Sequence, residues 1–144
     1  MSAVIALASD HAGYALKALL VTELREQGRD VLDLGPFDET SVDYPDFGAK
    51  LAAAIADGSA ARGIAVCGSG IGISIAVNRN PAARCALVTT GLMARLARVH
   101  NDANCIALGS RIVGVETARD CVTEFLATEF AGGRHAGRVA KLGQ

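Results

Sequence analysis

The sequence predicts an α/β fold, a single-domain, Rossmann-like three-layer sandwich with a five-stranded parallel sheet. Five short apolar runs alternate along the chain with stretches whose apolar residues recur every three to four positions. Such alternation is typical of parallel strands joined by right-handed helical crossovers. Among the 144 residues, 51% are hydrophobic and none is Trp, so the core must be built from aliphatic side chains, as in sheets covered on both faces.

The apolar runs predict strands because they are short, rich in Val, Ile, Leu and Ala, and bounded by Gly, Pro or polar residues. They cover residues 3–8, 30–34, 63–66, 84–88 and 105–108. Neither an internal repeat nor a linker interrupts the pattern. We therefore expect one domain over residues 1–144 rather than two units.

A helix is predicted after each strand, with Ser9 or Asp10 able to cap the first one. Glycine is expected to end three of them, at Gly28, Gly58 and Gly132-Gly133. The apolar positions that would face the sheet lie, in chain order, within 12–24, 47–55, 73–77, 92–99 and 118–126.

A basic tail at about 134–141 is predicted to form a C-terminal helix. Arg134, Arg138 and Lys141 would share one side of that helix. Such arginines can clamp a phosphate through paired hydrogen bonds. An ordinary solvated helix face explains the same spacing, and the cluster alone favours that simpler interpretation.

Charge excludes some classes of function. The formal net charge of −1 argues against a general nucleic-acid binder, which normally carries a basic surface. No leader and no membrane-spanning segment is evident, so we expect a soluble cytoplasmic protein that binds no membrane. Residues 58–101 contain no Asp or Glu but several arginines, which suits an acidic small substrate. The arginines in this stretch include Arg62, Arg79, Arg84, Arg95 and Arg98. For most of them a solvated surface position is the favoured interpretation.

The cysteines predict neither a metal site nor a disulfide framework. Cys67, Cys85, Cys105 and Cys121 follow no zinc-binding spacing and form no C-x-x-C motif. Three of them fall in apolar helix-like or strand-like runs, which favours reduced core residues.

The stretch Cys67-Gly68-Ser69-Gly70-Ile71-Gly72 interrupts two apolar runs. Alternating glycines allow a sharp turn close to a ligand, and a following helix would direct its free N–H groups toward an anion. A cysteine at that helix end is expected to ionise more readily than usual. Cys67 is therefore either a reactive thiol or a small core residue, and the stretch alone favours the core residue.

Binding of NAD and of ATP is disfavoured. A dinucleotide site requires an acidic residue about twenty positions after the glycines, and none occurs there. The turn also lacks the lysine of a nucleotide-binding P-loop. A cysteine protease built from Cys67, His100 and Asn101 is also disfavoured, because His100 and Asn101 are adjacent in sequence and their side chains would point apart.

Polar residues follow several predicted strands, at the ends where α/β sheets bind ligands. These segments are 9–11, 67–69, 89–90 and 110–111, and the fold would bring several of them to one edge. His11 and His100 add groups suited to proton transfer near neutral pH, although each could equally be a surface or helix-end residue.

Taken together, these motifs identify the chain as resembling the ribose-5-phosphate isomerase type B family, which also includes galactose-6-phosphate isomerase subunits. The resemblance covers essentially the whole chain. It rests on SDHAG at 9–13, DYP at 43–45, CGSGIGISIAVN at 67–78, HNDAN at 100–104, LGSR at 108–111 and GGRHAGR at 132–138.

The resemblance implies a cofactor-free aldose–ketose isomerase that acts on a phosphorylated sugar, such as ribose 5-phosphate. Cys67 would move a proton between C2 and C1 through an enediolate, and His100 would open the sugar ring. Ser69 and the backbone N–H groups of Gly70, Ile71 and Gly72 would stabilise the oxyanion, and Gly68 would belong to the substrate-binding turn. Asp10 and Asn101 would bind sugar hydroxyls. The phosphate would be held by His11, Arg111, Arg134 and Arg138.

The resemblance also implies a homodimer, or a dimer of dimers, whose active sites are shared between subunits. A related isomerase acting on an allose, galactose or erythrose phosphate remains an alternative. So does an accessory subunit of a hetero-oligomeric isomerase, although the presence of both Cys67 and His100 favours a self-sufficient enzyme.

Overall fold

The computed structural model describes residues 3–143 and confirms the predicted α/β fold, with a five-stranded, all-parallel sheet. The strands are β1 (Ile5–Ser9), β2 (Val31–Asp33), β3 (Arg62–Cys67), β4 (Cys85–Leu87) and β5 (Cys105–Gly109). The helices are α1 (Tyr14–Glu26), α2 (Tyr44–Ala56), α3 (Ile71–Asn78), α4 (Gly91–Asn101), α5 (Val115–Ala127) and α6 (Arg134–Leu142). No helix in this part of the chain is long and apolar enough to cross a bilayer.

The strand order β2-β1-β3-β5-β4 creates a topological switch point. From β1 the chain moves to one side to form β2, and it then returns past β1 to form β3 on the other side. The loops after β1 and β3 therefore leave the sheet in opposite directions. In such sheets the resulting crevice at the carboxyl ends of the strands is where ligands bind.

The two faces of the sheet carry side chains of different size. The three central strands direct Ile, Leu and Val toward α1, α4 and α5, at Ile5, Leu7, Ile64, Val66, Ile106 and Leu108. Toward α2 and α3 the same strands present only small residues, at Ala6, Ala8, Ala65, Cys67, Cys105 and Ala107. The helices on the small-residue face pack very closely, because a Cβ at Gly48 of α2 would lie 2.6 Å from the Cβ of Ala76 in α3.

Three helix predictions need correction. The expected apolar face of α4 points outward, since Leu92 and Leu96 are 53% and 38% exposed, and Ala94 and Ala97 face the interior instead. The fifth helix ends at Ala127, several residues before the predicted glycines, so Gly132-Gly133 lies in the connection to α6. The N-cap of the first helix is Gly13 rather than Ser9 or Asp10, and no side chain caps it; Asp10 Oδ1 instead accepts the Gly13 N–H at 2.9 Å in the turn before the helix.

Arg98 is a buried structural residue rather than a solvated surface arginine. Its side chain is 3% exposed, and the guanidinium donates to the carbonyl oxygens of Ala103 and Thr128 at 2.8 and 3.0 Å. It also donates to Asp102 Oδ1 at 2.8 Å. These bonds tie the last turn of α4 to the segments that follow α4 and α5.

The cysteines are all unpaired thiols. Burial raises the pKa of Cys105 to about 12 and that of Cys121 to about 11. Both thiols are therefore neutral near pH 7, which agrees with the predicted role as reduced core residues.

Gly70 determines how the chain turns from β3 into α3. Its φ of +78° lies in the left-handed region, which side chains disfavour. A Cβ at this position would also lie 2.7 Å from the side chain of Leu87 and 2.9 Å from the backbone carbon of Leu108. Only glycine fits both the conformation and the space.

We expect Gly70→Ala to lower the free energy of unfolding by roughly 2–4 kcal/mol, because dihedral strain and overpacking add. Gly58→Ala is the matched control, since Gly58 has φ +82° but nothing within 4 Å of its Cβ position. That variant should lose only about 1 kcal/mol. Urea denaturation of both variants measures the difference, and equal losses would contradict the packing argument.

We expect Arg98→Met to lower the free energy of unfolding by roughly 2–4 kcal/mol, because buried acceptors lose their donor. Arg95→Met on the same helix is the control, because Arg95 is 49% exposed and reaches Glu124 only at 4.0 Å. Its loss should stay within about 0.5 kcal/mol. Thermal or urea unfolding that ranks the two variants alike would show that the Arg98 bonds contribute little.

Candidate active site

A cleft of about 530 Å³ opens at the switch point, where β1, β3 and β5 end. Seven of its lining residues were assigned to the site from the sequence: Asp10, His11, Cys67, Gly68, Ser69, Ile71 and Gly72. Arg111, also assigned, enters from the loop after β5. The remaining lining residues are Ala12, Tyr44 and Ile112.

Cys67 is the last residue of β3 and is only 4% exposed. Its Sγ atom accepts a hydrogen bond from the Gly70 N–H at 3.1 Å. Ser69 accepts one from the Ile71 N–H at 3.2 Å, which leaves its hydroxyl proton available to donate. A thiol and a hydroxyl donor therefore stand together at the N-terminus of α3, where the helix dipole favours negative charge.

Fewer backbone N–H groups are free to bind an oxyanion than the sequence suggests. Two of the backbone donors assigned to it, those of Gly70 and Ile71, are already engaged within the turn. Gly72 is confined by Tyr44, because a Cβ on Gly72 would lie 2.6 Å from the tyrosine ring. The Ser69 hydroxyl is thus the side-chain donor of the turn, with the tyrosine ring closing one side.

Asp10 and His11 are held firmly beside this turn. Asp10 is 8% exposed, and one carboxylate oxygen accepts the Gly13 N–H described above. His11 Nδ1 lies 3.1 Å from the Val42 backbone nitrogen, which donates to it when the ring proton is on Nε2. In that tautomer Nε2–H is a donor for an anion.

Arg111 supplies the positive charge of the cleft. Its backbone N–H donates to the Gly68 carbonyl at 2.9 Å, and its guanidinium lies beside Gly68, at 3.3 Å from a Cβ placed there. No ion pair among residues 3–143 involves Arg111. The guanidinium therefore forms no ion pair in this part of the chain, although the Asp10 carboxylate lines the same cleft.

The other assigned residues lie elsewhere. His100, Asn101, Arg134 and Arg138 line a second cleft of about 350 Å³, together with His135, Val139 and Leu142. The two clefts share no lining residue. One chain therefore carries the proposed site in two separate parts, here called the thiol half-site (Asp10, His11, Cys67, Ser69, Arg111) and the histidine half-site (His100, Asn101, Arg134, Arg138).

The geometry of α4 explains the separation. The helix starts at the carboxyl edge of the sheet, after β4, and its 11 residues span about 16 Å toward the amino edge. His100 lies in its last turn, just before Ala103 and Asn104, which lead into the start of β5. Thr90, which precedes α4 at the carboxyl edge, caps this helix through Met93 rather than lining the thiol cleft.

His135 is a feature that the sequence analysis left out of the site. Its ring stacks on that of His100, with centroids 4.8 Å apart and planes inclined by 26°. The GGRHAGR motif at 132–138 includes His135 between its arginines, so the sequence offers a signal for it. Tyr44 was similarly present in the DYP motif but unassigned. No cluster of metal-ligating side chains occurs within residues 3–143.

Known proteins with similar sequences belong to one family of sugar isomerases. The family model described as Ribose/Galactose Isomerase matches residues 5–142. Ribose-5-phosphate isomerase B of Escherichia coli strain K12 is 42% identical over 138 residues, covering 96% of this chain and 93% of that relative.

Solved structures superpose on nearly the whole chain. Ribose-5-phosphate isomerase B of Clostridium thermocellum superposes with a TM-score of 0.96 at 51% identity, covering 97% of this chain and 95% of that one. The Thermotoga maritima enzyme gives 0.96 at 45% identity, covering 99% and 98%. From the matched residues and these full-length relatives, the chain belongs to the ribose/galactose isomerase family.

Proposed function

We propose that this chain is an aldose–ketose isomerase that interconverts ribose 5-phosphate and ribulose 5-phosphate. The observation that carries the proposal is the thiol half-site, in which a strand-end thiol, a hydroxyl donor and an arginine line one cleft. Full-length relatives at 42–51% identity carry the name ribose-5-phosphate isomerase B. Their names point to the pentose phosphate rather than to a longer sugar.

Ring opening would be the first step, and His100 would perform it. The imidazole takes the proton of the C1 hydroxyl and returns a proton to the ring oxygen, while the C1–ring oxygen bond breaks and a C1 carbonyl forms. Histidine suits this exchange because its usual pKa range lies close to neutral pH. Asn101 would hold a neighbouring sugar hydroxyl.

Proton transfer between carbons would follow at Cys67. The thiolate removes the C2 proton, the C1–C2 double bond forms, and negative charge moves to the C1 oxygen. The same thiol then delivers the proton to C1, while the proton of the C2 hydroxyl passes to the C1 oxygen and the C2 carbonyl forms. Ser69 would donate to the developing oxyanion, and such preorganised donors contribute roughly 3–4 kcal/mol to transition-state stabilisation.

Phosphate recognition divides between the two half-sites. His11 and Arg111 would bind from the thiol half-site, and Arg134 and Arg138 from the histidine half-site. The latter pair lies one helical turn apart at the start of α6, which allows both guanidinium groups to reach one anion.

We propose that two copies of the chain complete each other's sites, as a homodimer or a dimer of dimers. The separation of the half-sites within one chain supports this. The outward face of α4 supports it further, because Leu92, Met93 and Leu96 expose a stripe that continues to His100. Such an apolar face is typical of a protein–protein interface. Docking this stripe on a second copy would place His100 at the interface, as the shared site requires.

We expect Cys67→Ala to reduce turnover of ribose 5-phosphate by at least about 10²-fold with the fold intact, because the carbon base is lost. Cys121→Ala is the control, since that thiol is buried on the opposite face of the sheet and neutral. It should keep most of the activity. Turnover is measured with ribose 5-phosphate, allose 6-phosphate, galactose 6-phosphate and erythrose 4-phosphate in parallel.

Near-normal turnover by Cys67→Ala would overturn the assignment of the base. Preference of the wild-type chain for another sugar phosphate would keep the chemistry and change the substrate. No turnover of any of them by the chain alone would favour an accessory subunit that needs a partner chain.

We expect two inactive variants, Cys67→Ala and His100→Asn, to restore activity when they are unfolded together and refolded. Half of the resulting dimers are mixed, and each mixed dimer has one intact site, so roughly a quarter of wild-type activity should return. Each variant refolded alone is the control. Sites formed within single chains would leave the mixture inactive, which would refute the shared site.

A further inference from the structure

We propose that His135 is a positioning residue for His100, whose ring it orients by stacking within the same chain. The inference rests on the ring-opening role proposed for His100 and adds to it a residue with no assigned function. It begins from the contact between the two rings, 4.8 Å between centroids and 26° between planes, which is close to a parallel stack.

The stack stands where a hydrogen bond would normally be. An acid–base histidine is usually oriented through its second ring nitrogen, which binds a carboxylate or a carbonyl. His11 has such an anchor at the Val42 backbone. Among the hydrogen bonds and ion pairs found in residues 3–143, none involves a ring nitrogen of His100 or His135. Ring contact is therefore the interaction that restrains the exposed His100 side chain.

The placement of His135 is fixed by the connection that precedes it. Gly132 and Gly133 have φ values of +66° and +55°, which reverse the chain so that α6 returns to α4. The Ala131 N–H donates to the Val99 carbonyl at 3.2 Å, next to His100 in sequence. The first turn of α6 is thereby held against the last turn of α4.

The charge around the pair keeps His135 in its neutral form. The pKa of His135 is lowered, mainly by partial burial and further by the charges of His100, Arg134 and Arg138. No acidic side chain lines this cleft. A neutral imidazole can lie against His100 without repelling it when His100 carries the transferred proton.

Stacking leaves both nitrogens of His100 free for the sugar. It also connects the groups proposed for ring opening and for phosphate binding, because His135 contacts His100 and lies next to Arg134 on α6. Loss of the stack should allow His100 to rotate, and misplacement of a catalytic group by about 1 Å costs up to roughly 10²-fold in rate.

The test compares His135→Ala with His135→Phe, which keeps a flat ring and removes the nitrogens. Two reactions are measured: conversion of ribose 5-phosphate, and exchange of the C1 proton of ribulose 5-phosphate in D2O. Exchange needs Cys67 but bypasses the sugar ring. We expect His135→Ala to lose about tenfold in conversion and to keep wild-type exchange, and His135→Phe to recover most of the conversion.

Equal losses of conversion and exchange in His135→Ala would overturn the proposal, since they would indicate a structural role of α6. A rise in KM without loss of kcat would overturn it as well, because only phosphate binding would then be affected. A His135→Phe variant no better than His135→Ala would exclude stacking as the cause.

Failure of the underlying function gives a different result. A wild-type chain that neither converts nor exchanges these sugars would refute the isomerase proposal itself. His100→Asn provides the reference, because it should abolish conversion while exchange continues. Loss of both reactions in His100→Asn would remove His100 from ring opening and the positioning role of His135 with it.

Discussion

The helix between two parallel strands must carry the chain from the carboxyl edge of the sheet back to the amino edge. In this protein that constraint decides the architecture of the site. Cys67 ends β3 at one edge, whereas His100 lies at the far end of α4. The motifs assigned to the proposed reaction are therefore separated within each chain by the length of a crossover helix, and a second copy becomes part of the proposed chemistry.

Much of the fold could be predicted because its signals are local. Each strand is a short apolar run with polar or Gly-rich ends, and the strand-end residues of the thiol half-site follow directly from that pattern. The sharp turn after β3 is similarly indicated by the alternating glycines, although its left-handed conformation at Gly70 is known only from the structure. These features depend on residues a few positions apart, which a single sequence displays.

The errors arose where long-range packing decides the outcome. On α4 the largest apolar residues, Leu92 and Leu96, point outward, and the helix packs through the small Ala94 and Ala97. Periodicity alone cannot distinguish a face made for the core from one made for a partner. Arg98 differs from its predicted surface position for a related reason: Asp102 and Ala103 are its sequence neighbours, but the Thr128 carbonyl, 30 positions away, is brought to it only by the packing of α5 on α4. The partition of the site residues between two clefts was equally invisible.

The two histidines of the proposed chemistry are held in different ways. His11 is fixed by the backbone of a loop, so its orientation depends on that loop alone. His100 is restrained by a side chain from α6, the same helix that presents Arg134 and Arg138. In this arrangement the proposed acid–base group and part of the proposed phosphate site are connected through α6 and would move together.

The unequal faces of the sheet set limits on how the sequence can drift. On the face with Ile, Leu and Val, volume-conserving exchanges can be absorbed by repacking at a cost below about 1.5 kcal/mol. On the face with Ala and Cys, an added methyl group pushes against α2 and α3, which already touch at Gly48 and Ala76. Because α3 begins at the turn that holds the Cys67 sulfur, such a push would be transmitted to the reacting atom. Alanines that lie outside the proposed site thus restrict which substitutions the chain tolerates near it.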